Sequence, residues 1–140
     1  MQRKEKREGN VKIKPQKEFP HLKRFKKKFP ITDGTIFVYK DTIYTNNEIP
    51  YDIVHHEIMH LRRQQEIGAK KWINNYLKDD NFRLQEELIA YRYQLEKVRE
   101  YNDPEELQGV LHESALNLSS SLYGNIISYA KANELLTLDK

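Results

Sequence analysis

Apolar and polar positions along the chain follow two different rhythms. Residues 35–45, TIFVYKDTIYT, are rich in β-branched and aromatic side chains and are broken at Lys40 and Asp41, which predicts a β-hairpin turning there. Asn46 and Asn47 then mark a loop, and from Pro50 onward the period lengthens. In YDIVHHEIMHLRRQQEIGAKK, Ile53, Val54, Ile58 and Leu61 recur at helical spacing as buried candidates. Pro50 stands where a helix can start, Asp52 adds negative charge to its first turn, and Gly68 supplies a stop. Trp72, Ile73, Tyr76 and Leu77 predict a short helix or packed turn that ends at 79–81. The next segment, FRLQEELIAYRYQLEKVRE, places Leu84, Leu88, Tyr91, Leu95 and Val98 on one stripe, the mark of an amphipathic helix. Asp103, Pro104 and Glu106 open another helix with an N-cap, a proline at the first helical position and a capping-box acid. Residues 119–121 break it, and LYGNIISYAKANELL supplies a last helix. The expected fold class is α+β and mostly helical, a short hairpin or small sheet followed by four to five helices.

A length of 140 residues fits one domain. Mean hydropathy is low at −0.88, but nine Tyr, five Phe and one Trp supply more aromatic surface than a disordered chain carries. The net charge of +3 hides a division. Residues 1–30 hold 12 Lys and Arg against 3 Glu, a net +9, whereas residues 31–140 hold 12 against 18 acids, a net −6. The expected organisation is therefore a basic arm over 1–30, interrupted by Gly9, Pro15, Pro20 and Pro30, joined to a mildly acidic domain over 31–140. Phe19, Leu22, Phe25 and Phe29 recur at helical spacing and predict a short basic amphipathic segment near 20–29. Such an arm either anchors the chain to nucleic acid, an anionic surface or an acidic partner, or solubilises it while its few aromatics pack on the domain. The absence of cysteine excludes disulfides, thiolate metal sites and a cysteine nucleophile. No apolar run approaches the roughly 18 residues of a membrane span, and no apolar segment follows the basic N-terminus as in a secretory signal, so a cytoplasmic product is expected.

One pentapeptide carries chemistry: His56-Glu57-Ile58-Met59-His60. On a helix the two imidazoles lie on one face a turn apart and can share a metal, while Glu57, about 100° round the axis, reaches a metal-activated water without being a ligand. Two imidazoles plus a carboxylate suit Zn2+, with one position left for water. Glu57 is then the general base. No histidine follows in the arrangement H-E-x-x-H-x-x-G-x-x-H, because position 63 is Arg and position 66 is Glu. The third ligand is instead sought at Glu86 or Glu87, which point about 100° apart on the next strong helix.

H-E-x-x-H followed some 25 or more residues later by E-x-x-A-(D/Y) resembles the gluzincin metallopeptidases, in particular their small single-domain members and short peptidase-like proteins of phages. The resemblance spans roughly residues 35–98 and implies a zincin-like fold, a peptide or protein substrate and a zinc cofactor. It selects Glu87 as third ligand, since Ala90 follows at the family's spacing, and Glu87 also lies nearer the Leu84–Leu88–Tyr91 stripe than Glu86 does. Tyr91 stands where many gluzincins carry an acid that orients a zinc-binding histidine, and its hydroxyl is the candidate for a similar part.

Other residues are assigned lesser parts. His55 is read as packed or exposed, Trp72 and Tyr76 as core, and Arg62, Arg63, Gln64 and Gln65 as the solvated end of the motif helix. His112, Tyr123, Tyr91 and Tyr93 are candidates for stabilising an oxyanion. The hairpin's edge strand is a candidate for binding extended substrate by strand addition. A second functional class is a non-catalytic binding or virion-type structural protein anchored by the basic arm. A third is a self-inhibited enzyme in which His21 or Glu18 covers the metal.

Overall fold

A computed structural model describes residues 11–138 of the chain. The architecture is α+β and mostly helical. Three short strands, β1 (Lys12–Lys14), β2 (Phe37–Tyr39) and β3 (Thr42–Tyr44), form one sheet in the order β1-β3-β2. β1 runs parallel to β3 with Ile13 opposite Ile43, and β2 runs antiparallel to it with Val38 opposite Ile43. The hairpin turns at Lys40, which takes φ 59°, as the sequence predicts. Six helices are described: α1 (Leu22–Lys28), α2 (Tyr51–Ile67), α3 (Ala69–Lys78), α4 (Asp80–Arg99), α5 (Pro104–Leu118) and α6 (Tyr129–Leu138). None is long and apolar enough to cross a membrane.

The helix boundaries follow from local chemistry. Pro50 precedes α2, and Gly68 at φ 106° ends it and at once caps α3, accepting the Trp72 N–H at 2.8 Å. The expected break at 79–81 is a single residue. Asp79 closes α3, and its side chain accepts the N–H groups of Asn81 and Phe82, so α4 starts at once. Asp103 caps α5 in the same way, with Pro104 inside the first turn. The last helix starts later than its apolar period suggests. Residues Ser121–Tyr123 form a 3-10 turn that ends at Gly124 in the left-handed region, φ 94°, and α6 begins only at Tyr129. A Cβ on Gly124 would stand 3.2 Å from Nη2 of the buried Arg83. That guanidinium holds the turn by donating from Nε to the Tyr123 carbonyl at 2.9 Å, and it also binds the Tyr76 carbonyl and Asp80.

Three apolar clusters build the interior. Val11, Val38 and Ile43 of the sheet region pack on Val54, Ile58 and Leu61 of α2. Leu88, Tyr91 and Leu95 of α4 meet Ala115 and Leu118 of α5 and Ala132 and Leu136 of α6. The third cluster is aromatic: Phe19, Phe25, Phe29 and Phe37 with Tyr44, Trp72 and Tyr76. The charge boundary at residue 30 therefore has no counterpart in the packing. Residues 11–30 contribute a strand, a helix and three buried phenylalanines, while Lys23, Arg24 and Lys26 to Lys28 keep to the exposed face of α1. The first ten residues of the basic arm lie outside the described residues. His21 packs against Phe19 and Tyr39, and Glu18 is exposed, so neither covers the motif histidines.

Candidate metal centre

The motif lies in the middle of α2, on the face turned toward α4. His56, Glu57 and His60 are all buried, and one donor atom from each lies within 4.8 Å of the others. The imidazoles stand edge to face with centroids 4.9 Å apart. Opposite them on α4 is Glu87. Its Oε1 lies 3.0 Å from Nε2 of His56 and its Oε2 lies 3.1 Å from Nε2 of His60, so one carboxylate spans both rings. Oε2 also accepts a hydrogen bond from the Tyr76 hydroxyl at 2.6 Å.

Glu86 points the other way. Its carboxylate takes Nε and Nη2 of Arg63 and the indole N–H of Trp72, at 2.9–3.3 Å. Arg63 is thus no solvated end of the motif helix but the counter-charge of a buried acid. Gln64 departs from that expectation as well. It is buried, donates to the Val38 carbonyl at 3.1 Å and accepts the Lys40 N–H at 2.8 Å, fastening β2 to α2. The first of these bonds takes the Val38 carbonyl of the edge strand β2, and the second takes the Lys40 N–H of the hairpin turn.

The proton on His56 is fixed by a relay. Asp52 accepts from Nε2 of Gln94 at 2.8 Å, which turns the Gln94 carbonyl oxygen toward Nδ1 of His56 at 3.0 Å. A carboxylate only accepts, so the amide orientation follows and Nδ1 of His56 carries the hydrogen. A neutral His56 then presents a lone pair from Nε2 to the Glu87 oxygen. Two electron-rich atoms at 3.0 Å call for a shared cation, a proton or a metal ion. Ligands about 2.0–2.2 Å from a tetrahedral ion lie roughly 3.3–3.5 Å apart, a few tenths longer than the two spacings seen. Donor types and spacing therefore fit Zn2+, with His56, His60 and Glu87 as the residues that could hold it. Burial pushes the Glu87 carboxyl up, but with the rings protonated the charge of His60 and His56 and their hydrogen bonds overcome this and hold it well below the usual carboxylate range.

Glu57 is different. Burial pushes its carboxyl up to about 7, with His56 pulling it down and Glu87 pushing it further up. Among the described residues no hydrogen bond reaches it, and it faces a cleft of about 670 Å³. The motif residues and Glu87 lie on that cleft's lining, together with Pro30 to Thr32, Gly34 to Val38 and Glu106, Gly109, Val110, Glu113 and Asn117 of α5.

The remaining candidates separate clearly. Tyr91 and Tyr123 line the cleft with hydroxyls 2.8 Å apart, while the exposed His112 bonds to Tyr129. Tyr93 lies with His55, Arg62 and Lys97, and it is not among the residues lining the cleft. His55 is buried between Tyr51 and Tyr93. Tyr91 lays its ring on His56 at 4.3 Å but gives its hydroxyl to Tyr123, so Gln94, not Tyr91, orients that imidazole. Sequence reasoning missed Gln94 and Asp52 and read Tyr76 as core alone. Gln94 lies seven residues after Glu87 and is the one signal available, since that spacing returns to the same helix face. No protein-family model, no curated protein and no solved structure matches this chain.

Proposed function

We propose that the chain is a zinc-dependent peptidase of gluzincin type, with His56, His60 and Glu87 as metal ligands and Glu57 as general base. The observation that carries the reading is the pair of Nε2 atoms, of His56 and His60, that face the Glu87 carboxylate at 3.0 and 3.1 Å while Nδ1 of His56 is turned to the Gln94–Asp52 relay. Zn2+ bound there would supply Lewis acidity toward a peptide carbonyl and bring a water towards ionisation at neutral pH. The protein's own groups do the rest. Glu57, buried beside the cleft with no hydrogen-bond partner among the described residues and a carboxyl raised to about 7, suits taking the proton of the attacking water. It then returns that proton to the leaving amine nitrogen as the C–N bond breaks. In the Tyr91–Tyr123 pair one hydroxyl donates to the other, which leaves the acceptor's own O–H to meet the developing oxyanion. The cleft admits an extended peptide.

Glu57→Gln tests the assignment. The variant should retain metal like the parent and lose about 10²- to 10⁴-fold in hydrolysis of an unstructured peptide. Undiminished cleavage by Glu57→Gln would remove the general base from the account. If the parent neither holds metal nor cleaves, the cluster is an imidazolium–carboxylate network, and the reading as a non-catalytic binding or structural protein replaces the enzyme.

A further inference from the structure

The cleft carries a charge bias opposite to that of the chain. Among the described residues no Lys or Arg lines it, whereas Asp52, Glu57, Glu87, Glu106 and Glu113 do. Asp52, Glu57 and Glu87 belong to the centre described above. Glu106 and Glu113 do not. They stand two turns apart on one stripe of α5, both exposed, and neither is in an ion pair among the described residues.

Between them the stripe is held open. Gly109 lies in the helix interior, where glycine is disfavoured relative to alanine, and a Cβ there would meet nothing within 4 Å. Packing within the chain does not require that glycine, and the helix surface there is left open. Independently, Glu57 is only 9% exposed, faces the same cleft, and has no hydrogen-bond partner among the described residues, so the cleft is built to receive a polar ligand.

We propose that the α5 wall is a substrate-binding surface that selects basic peptide segments, Glu106 and Glu113 each receiving a Lys or Arg side chain while the peptide backbone passes over Gly109. This specificity rests on the peptidase reading. Seven residues of helix put the two carboxylates roughly 10 Å apart along the axis, close to the roughly 9 Å repeat of a peptide in the polyproline II conformation, whose side chains return to the same face every third residue. The favoured ligand therefore carries two basic residues three positions apart. Exposed, unpaired carboxylates act through affinity and salt dependence, not through the chemical step.

The test is fluorescence anisotropy with the full chain carrying Glu57→Gln, so that no probe is cut. The probes are labelled Ala-Ala-Lys-Ala-Ala-Lys-Ala-Ala and the same peptide with Gln or Glu at both Lys positions. The Lys peptide should bind roughly tenfold tighter than the Gln peptide at low salt, and the Glu peptide weakest. Glu106→Gln with Glu113→Gln should shrink the Lys advantage to under about threefold, while the control pair Glu96→Gln with Glu105→Gln leaves it intact. Equal binding of the Lys and Gln peptides, or an advantage that survives the Glu106/Glu113 change, overturns the inference. Turnover by the parent chain separates this from the peptidase reading. A chain that cleaves peptides without favouring Lys refutes only the selectivity, and one that prefers Lys but cleaves nothing refutes the peptidase reading.

Discussion

Glu86 and Glu87 are neighbours on α4, both 2% exposed, and they meet opposite surroundings. Glu86 faces a permanent cation, Arg63, in a forked arrangement, plus an indole N–H. Its burial is answered entirely within the chain. Glu87 faces two imidazoles and a phenol, and of these only the phenol donates in every protonation state. A buried carboxylate beside two imidazoles is best matched when a cation, a proton or a metal ion, sits between them. The same backbone turn thus holds one acid that completes the core and one that leaves a place to fill. Which is which depends on a difference of about 100° in direction.

The contrast can be broken from either side. The largest effect on stability should come from Glu86→Ala, which strips Arg63 and Trp72 of their acceptor. Because Arg63 is partly solvated, the cost should be about 2–4 kcal/mol, read by urea unfolding, with metal content unchanged. Loss of metal with Glu86→Ala would mean that the two acids are not separate in role. Gln94→Ala should act on the other side alone. Freed from its relay, His56 should bind metal about 10- to 100-fold more weakly in a chelator competition, with the unfolding midpoint of the metal-free protein little changed. If Gln94→Ala leaves metal affinity untouched, the relay does not set the His56 tautomer.

Much of the fold is legible in the sequence because its signals are local. The hairpin turn, the Asp79 and Asp103 caps, the Gly68 stop and the stripes of α2 and α4 each depend on residues a few positions apart. The shared face of the two motif histidines and the divergence of Glu86 from Glu87 are legible for the same reason, since helical direction follows from spacing. What escaped is long-range. Gln94 meets His56 across 38 residues, and Gln64 meets Val38 across 26. A polar residue near a helix end looks solvated in any local window, whether or not a distant strand claims it. The basic segment was legible as amphipathic, with aromatics able to pack on the domain, but its partners were not. Its lysines mark the outer face of α1, and only the distant Phe37 and Tyr76 reveal that Phe25 points inward. The delayed start of α6 likewise comes from Arg83, some forty residues upstream of the turn it holds.

The central claim, that His56, His60 and Glu87 form a site for one divalent ion, is tested most directly by elemental analysis of the purified chain after zinc loading and removal of excess. The account predicts about one equivalent of zinc in the parent and in Glu86→Ala, and almost none in Glu87→Ala. Equal zinc in the parent and in Glu87→Ala, or none in the parent, would contradict it.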